Sequence, residues 1–296
     1  MRPSHVTGLV ILASIWGGSF IFMRVLAPVL GPFGTTDARV LIAGFALLLY
    51  MKLRGLPLYF VRYAKEYFVV GLANTAIPFC LFAYSALHIP AAYSAVANST
   101  SPLFGALFSA IWLAEPLTGR KLAGLVCGMC GVGLIGEAGG AQASGSVLAT
   151  SLGACLIAAV SYSLTGIYIK KFVRGPTPMG VATGSLLMAG LVLLPLAALF
   201  PPPGTINALI VCNLLGLSLI CSGVAYLIYY WLIADLGPTK ALTVTFLIPP
   251  FGILWGVIFL HERLTGAMAA GCALVIAGTL LVVRDRPVLM PAPAAR

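Results

Sequence analysis

Long apolar segments separated by short polar connections run along almost the whole chain. The segments are continuously hydrophobic over about 20 residues, whereas the strands of a membrane barrel alternate over about ten, so the pattern predicts membrane-spanning helices. We place ten segments at residues 8–28, 35–52, 67–87, 91–113, 119–137, 148–169, 179–200, 207–234, 239–260 and 265–283. The predicted fold class is an all-α integral membrane protein with ten transmembrane helices.

The fourth apolar segment is repeated in the ninth. Pro102 matches Pro249, and Glu115 matches Glu262, at a constant offset of 147 residues. A neighbouring offset of 146 relates earlier parts of the two halves. We therefore predict a first five-helix repeat at 1–138, a linker at 139–147, a second five-helix repeat at 148–284 and a disordered cytoplasmic tail at 285–296.

An odd number of crossings in each repeat has a topological consequence. Five crossings bring the chain out on the opposite side of the membrane, so the second repeat is predicted to be inverted with respect to the first. Inverted repeats that contain interrupted helices are typical of transporters, whose substrate site lies between the two halves. The sequence therefore predicts a central cavity that opens to the two faces in turn.

Composition excludes a soluble globular chain. Hydrophobic residues make up 60% of the sequence, charged residues only 8%, and the mean hydropathy is +1.06. The net charge of +10 does not indicate a nucleic-acid partner, because the basic residues lie in short connections between apolar segments. With the predicted segments, 14 of the 17 Lys and Arg residues fall on one side. The positive-inside rule then places both termini in the cytoplasm, in a multi-pass protein of the bacterial inner membrane.

Two motifs resemble a known family. The first segment contains Trp16-Gly17-Gly18-Ser19, and the fourth and ninth segments share the pattern P-x-x-G followed by E-x-L-T-G. These features resemble the EamA-type transporters of the drug/metabolite transporter superfamily, and within it the YddG-type exporters of aromatic and other amino acids, over residues 8–283. The resemblance implies a secondary transporter rather than an enzyme. A multidrug or cation exporter, or another small-metabolite carrier, remains the alternative.

Polar side chains inside apolar segments are costly in lipid and must face protein or water. Ser94, Asn98 and Ser101 follow helical spacing on the fourth segment and form a stripe that leads to Pro102. The equivalent residues of the ninth segment are Thr239, Thr243, Phe246 and Pro249. A proline removes one backbone hydrogen bond and frees a carbonyl. We therefore predict that both prolines are hinges and that both stripes line the pathway, although helix packing would also explain small polar residues.

Aromatic rings provide the apolar part of the predicted site. Trp16 and Tyr162 lie deep in their segments and correspond at the offset of 146, which suits a pocket for a zwitterion with an apolar side chain. Aromatic residues near segment ends, such as those at 226–231, are interpreted as interfacial anchors. The predicted substrate-binding residues are Trp16, Ser19, Tyr84, Ser94, Asn98, Ser101, Tyr162, Thr165, Thr243 and Phe246.

Asp37 and Arg39 begin the second segment and are predicted to lie at the external mouth. Residues two apart on a helix point in different directions, so they are not a pair by spacing. Arg39 either meets a substrate carboxylate or extends its head group to the membrane surface. No carboxylate is visible deep in a segment, which disfavours a cation exporter. Deep basic residues in both halves, which a sugar-phosphate carrier would need, are not visible either.

The remaining motifs indicate packing rather than chemistry. Gly124 and Gly128, together with Gly271, predict close helix contact between halves or subunits. The three histidines have no metal-ligand spacing, and no phosphate-binding loop is present. We expect no cofactor and no metal. The expected partners are a small-molecule substrate, namely neutral amino acids, and membrane lipid; no nucleic-acid partner is expected, and the chain is expected to be a monomer or a weak homo-oligomer.

Overall fold

The computed structural model describes residues 2–113, 115–139, 145–236 and 241–283, and that part of the chain is helical, without strands. A π-helical segment connects α2 to α3 and another connects α9 to α10, and a short 3-10 helix precedes α11. The helices are α1 (Pro3–Leu53), α2 (Ala64–Gly71), α3 (Ile77–His88), α4 (Ala91–Asn98), α5 (Ser101–Trp112), α6 (Gly119–Gly139), α7 (Gly145–Phe172), α8 (Pro178–Leu199), α9 (Ala208–Leu215), α10 (Ala225–Leu236), α11 (Ile248–Leu260) and α12 (Gly266–Val283).

Six helical stretches of the described residues are long and apolar enough to cross a membrane. They are Pro3–Leu53, Ala64–His88, Gly145–Phe172, Pro178–Leu199, Ala208–Leu236 and Gly266–Val283. An all-α membrane protein is therefore confirmed as the fold class, while the ten crossings and their inversion stay predictions. Most of the linker predicted at 139–147, the tail predicted at 285–296 and Thr239 lie outside the described residues.

The first two predicted segments, 8–28 and 35–52, lie in the stretch labelled α1, which consists of two helices joined across a kink. The backbone leaves the helical region at Gly31, where φ is 70° and ψ is 166°. This positive φ is accessible to glycine because it has no Cβ. Pro28 and Pro32 flank the kink. The two predicted segments therefore correspond to two helices that meet at Gly31.

The fourth predicted segment is broken, but not at its proline. α4 ends at Asn98, and α5 begins at Ser101 after a two-residue turn. Pro102 lies in the first turn of α5, and Pro249 lies in the first turn of α11. A proline at this position costs no helical hydrogen bond, because the first N–H groups of a helix have no internal acceptor. The structure therefore places the break before Pro102, which corrects the predicted hinge position.

The carbonyl groups at this break already have partners. Three consecutive hydroxyl groups each donate to the backbone oxygen three residues earlier: Ser99 Oγ to Val96 O (2.6 Å), Thr100 Oγ1 to Ala97 O (2.7 Å) and Ser101 Oγ to Asn98 O (2.7 Å). Because they already accept these local hydrogen bonds, the carbonyls at the break are poor candidates for substrate ligands.

Helices α6 and α12 pack backbone to backbone. A methyl group built on Gly124 would lie 2.5 Å from the carbonyl oxygen of Gly278, and one on Gly131 would lie 2.6 Å from that of Gly271. At the offset of 147 these two contacts are equivalent, because Gly124 matches Gly271 and Gly131 matches Gly278. The glycines therefore bring helices from the two halves of the chain together, one of the two alternatives that their spacing predicted.

Candidate substrate cavity

A cavity of about 770 Å³ lies between helices from both halves of the chain. It extends from Trp16 on α1 to Glu115 and Lys170, whose side chains form an ion pair of 3.2 Å and are 41% and 65% exposed. The cavity therefore reaches the surface at the Glu115 end. Its volume falls within the range of roughly 300–1,000 Å³ that is typical of small-molecule sites. No group of three metal-ligating side chains is found among the residues described.

Aromatic rings cover much of the inner wall. Trp16 packs against Tyr229 with ring centroids 5.2 Å apart, and Tyr162 stacks on Phe82 at 6.2 Å. All four rings border the cavity. Trp16 and Tyr162, which correspond between the two halves, thus lie at the same cavity, where the sequence placed them.

Three tyrosines of α10 border the cavity although the sequence suggested interfacial anchors. Tyr226, Tyr229 and Tyr230 all line it, and the ring of Tyr230 lies 6.1 Å from that of Tyr226 and 5.9 Å from that of Tyr229. Their spacing of three and four residues places them on one helix face. That spacing was a usable signal. Trp231 is different, since it is 40% exposed and packs on the ring of His5.

Three predicted polar residues lie on the cavity wall. Asn98, at the end of α4, is half-buried, and its side-chain amide makes no hydrogen bond to another described residue. The hydroxyl groups of Ser101 and Ser19 donate to the carbonyls of Asn98 and Trp16, both at 2.7 Å. The amide of Asn98 is therefore the polar group of this set best able to accept new hydrogen bonds and to donate them.

Three other predicted residues are near the cavity but do not line it. Ser94 is 2% exposed and accepts from the thiol of Cys155 at 3.6 Å. Thr165 is 1% exposed and donates to the carbonyl of Ser161 in its own helix at 2.8 Å. Tyr84 points outward, with 37% of its surface exposed, and packs on the ring of His88. The stripe through Ser94 fails because that side chain packs against Cys155 of α7 and does not face the cavity.

The predicted stripe of the ninth segment does not line the cavity either. Thr243 and Phe246 lie in the 3-10 helix Leu242–Phe246, and neither borders the cavity, whereas Thr245 and Ile248 do. A 3-10 helix has 3.0 residues per turn instead of 3.6, so positions that share a face of an α-helix do not share one here. Pro249 is buried and does not line the cavity.

Arg39 is the polar residue whose position differs most from the prediction. Its side chain is 5% exposed and lines the cavity, with the guanidinium carbon 3.8 Å from the ring centroid of Phe79. Nε donates to Ser222 Oγ at 2.9 Å. Extension of the head group to the membrane surface is therefore wrong. Position 39 lies about two turns beyond the kink at Gly31, and its side chain turns inward onto Phe79 and Ser222.

Asp37 does not share this environment. It is 7% exposed and does not border the cavity. Among the described side chains, Asp37 and Arg39 form no ion pair with each other. Their spacing on the helix did not predict one. The external mouth that we predicted from these two residues is not formed by them.

The opposite end of the molecule is closed by a carboxylate. Glu262 Oε1 accepts from the backbone N–H of Ala91 at 2.6 Å, and Oε2 accepts from that of Ala92 at 3.3 Å. These are the first two residues of α4, so the carboxylate lies at a helix N-terminus, where the helix dipole favours negative charge. Burial raises the pKa of Glu262 above its ordinary value, while the two N–H groups and Arg24 act in the opposite direction.

The EamA-like transporter family model matches residues 4–136 and again residues 149–284. The chain belongs to the EamA-like transporter family. It is 24% identical to a probable terminal-alkyne amino-acid exporter of Streptantibioticus cattleyicolor, covering 94% of this chain and 93% of that protein. It is 23% identical to a probable amino-acid metabolite efflux pump of Escherichia coli strain K12, covering 95% of each.

A solved structure, described as the crystal structure of a protein, shares this fold with a TM-score of 0.66. It is 21% identical and covers 95% of this chain and 96% of that one. The family assignment confirms the resemblance found in the repeated motifs and the prediction of a multi-pass membrane transporter. In this EamA-family protein the aromatic cavity is therefore the candidate transport site.

Proposed function

We propose that this protein exports neutral amino acids, aromatic ones among them, by alternating access through the central cavity. The observation that carries the proposal is a cavity of suitable volume with aromatic walls and few polar groups, in a chain of a transporter family. The names of two relatives, which refer to an amino-acid exporter and to amino-acid metabolite efflux, support the substrate class.

The two ends of the molecule support alternating access. The cavity reaches the surface beside Glu115, whereas the equivalent Glu262 is bonded to the N-terminus of α4. The reciprocal glycine contacts of α6 and α12 support two repeats of opposite orientation and therefore ten crossings. We place the Glu115 end and both termini in the cytoplasm of a bacterial cell, because 14 of 17 basic residues belong to that side.

Orientation is tested by single cysteines in a cysteine-free background. A cysteine in place of Gly145 should react with a membrane-impermeant reagent added outside intact cells. One in place of Arg174 should react only after permeabilisation. Reaction of both from the same side would refute the inverted arrangement of the repeats.

The amino-acid substrate is tested with two substitutions in the cavity and one control substitution outside it. Cells that produce the protein should resist a toxic phenylalanine analogue such as p-fluorophenylalanine. Trp16→Ala removes an aromatic wall and Asn98→Ala removes the available amide, so each should lower the resistance by roughly tenfold. Tyr84→Ala removes a ring that lies outside the cavity and should leave the resistance unchanged at equal protein level.

A multidrug or cation exporter is the competing function. Such a transporter needs a carboxylate to hold its cation, yet the acidic residue that lines the described cavity is Glu115, which is paired with Lys170 at the surface. If cells gain no resistance to the analogue but show proton-coupled efflux of a lipophilic cation, the cation function replaces the one proposed.

A further inference from the structure

Arg39 gives the cavity wall a permanent positive charge. The guanidinium group stays protonated in proteins, and this side chain is only 5% exposed. Burial of an ion away from water is costly unless another charge compensates it. None of the carboxylates in the described ranges 2–113, 115–139, 145–236 and 241–283 forms an ion pair with it.

The donors of this guanidinium are incompletely used. Nε donates to Ser222, and the flat face lies against Phe79, which fixes the plane of the group. Nη1 donates to the thioether sulfur of Met23 at 3.8 Å, and sulfur is a weak acceptor. Guanidinium has five N–H donors in a planar fork that matches a carboxylate. The position therefore has the geometry of an anion-binding site.

Among the described residues that line the cavity, the one carboxylate is Glu115, which already pairs with Lys170. The carbonyl groups at the break after Asn98 already accept hydroxyl donors. The charged residues that line the cavity are Arg39, Lys121, Lys170 and Glu115, which leaves an excess of positive charge. An ammonium group that enters the cavity would meet this field without a free carboxylate to hold it.

We infer that Arg39 binds the carboxylate of the substrate, and that the site recognises this carboxylate and an apolar body without recognising the amino group. The inference rests on the proposed amino-acid transport and makes it a special case of monocarboxylate transport. A single charge fits a monoanion better than a phosphate dianion. The residue equivalent to Arg39 at the offset of 146 is Ser185, which also lines the cavity but is neutral.

Three ligands with the same phenyl body separate the two charges. Phenylalanine carries both groups, 3-phenylpropionate lacks the ammonium, and phenethylamine lacks the carboxylate. Binding to the purified full-length chain is measured by ligand-dependent thermal stabilisation in detergent, and uptake of phenylalanine by counterflow in proteoliposomes. Phenylalanine and 3-phenylpropionate should bind with similar affinity, and phenethylamine about tenfold more weakly or worse.

Substitution of Arg39 assigns the difference to this residue. Arg39→Gln should weaken the two carboxylates by about 10- to 100-fold and leave phenethylamine unchanged. Arg39→Lys keeps the charge but loses the fork, so it should give an intermediate loss. Arg39→Lys also provides the test if the Arg39→Gln variant does not fold. Arg62→Gln, an exposed arginine away from the cavity, is the control and should not change any of the three affinities.

The possible results distinguish this inference from the proposed function. If phenethylamine binds as well as phenylalanine, or if Arg39→Gln weakens all three ligands equally, Arg39 is not a carboxylate anchor, whether or not amino acids are transported. If 3-phenylpropionate binds in an Arg39-dependent way but phenylalanine shows no counterflow, the carboxylate site stands and amino-acid transport fails.

Discussion

The two copies of the repeated stretch, residues 91–119 and 239–266, share a motif but lie in different surroundings. A methyl group on Gly252 would overlap the Cβ of Ala95, whereas one on the equivalent Gly105 would have no atom within 4 Å. In α11 four residues are buried, while in α5 only Leu103 is. The same sequence unit is therefore packed at one end of the molecule and loose at the other.

The two glutamates repeat this difference. Glu262 is bonded to two backbone N–H groups of α4, while Glu115 makes an exposed ion pair with Lys170. Neither arrangement follows from the shared motif alone. In the proposed transport cycle the two copies exchange these environments. The following experiments test the comparison with a cysteine reporter in place of Ile89, which is 1% exposed at the Glu262 end.

Alanine at the two equivalent glycines should have the largest effect. Gly252→Ala overpacks the closed end, which costs about 1–3 kcal/mol, so the reporter should react at least roughly fivefold faster and transport should fall. Gly105→Ala should leave the reporter protected, because the added methyl meets open space. Gly105→Ala should nevertheless lower transport, since in the proposed cycle Gly105 moves into packed surroundings like those of Gly252. Wild-type transport by Gly105→Ala would show that the two ends do not exchange.

Amide substitution of the two glutamates should have a smaller effect. Glu262→Gln leaves one side-chain oxygen to accept from the two backbone N–H groups of α4, and an N–H group without an acceptor costs about 1 kcal/mol or more, so the reporter should react about fivefold faster. Glu115→Gln removes an exposed pair worth only about 0–1 kcal/mol and should hardly change the reporter. Equal effects from both substitutions would mean that the two ends are closed to the same degree.

Replacement of the prolines should change the transport rate less than the sequence motif suggests. Pro102 and Pro249 lie in the first turns of their helices, where an N–H group has no helical acceptor. Pro102→Ala and Pro249→Ala should therefore keep transport within about twofold of the wild type, measured as counterflow in proteoliposomes. A large loss of transport in either variant would show that the proline itself is the hinge.

The smallest expected effect is a pH dependence of the closed end. Burial raises the pKa of Glu262 above its ordinary 4.5, so the closed end binds more protons than an open, hydrated one. Protonation of Glu262 therefore favours closure below pH 4.5. The free energy that favours closure falls as the pH rises through the raised pKa, and it is constant above that pKa. Reporter reactivity, corrected for the thiolate fraction, should rise over that interval. It should not change with pH in Glu262→Gln.

Features that depend on length and local packing could be predicted from the sequence. The apolar segments at 119–137, 148–169 and 179–200 match α6, α7 and α8 to within a few residues, because helix length in a membrane follows from bilayer thickness. The glycines of α6 and α12 predicted close helix contact, because only small residues allow backbones to meet. Trp16, Asn98 and Tyr162 border the cavity since each lies within a helix or at its end, where the 3.6-residue period holds.

Features that depend on contacts between distant parts of the chain, or on changes of helical winding, could not be predicted in this way. Arg39 lies on the cavity wall and not at the predicted mouth, because its side chain contacts Phe79 and Ser222, which are far from it in sequence. The 3-10 helix before α11 turned Thr243 and Phe246 away from the cavity. The assumed period of 3.6 residues does not hold there. The tyrosines of α10 do share a helix face by their spacing, but their position near a segment end was interpreted as interfacial.

The glycine contact between α6 and α12 restricts how the two halves can move. A slide by one helical turn, about 5.4 Å, would bring Val275 or Val282 opposite the glycines of α6. The backbones are too close for a methyl group, so an isopropyl group cannot take that place. Tilting about the line between the two glycine pairs leaves both contacts intact. In the proposed transport cycle this pair of helices is the pivot, and we expect the halves to rock about it instead of shearing past each other.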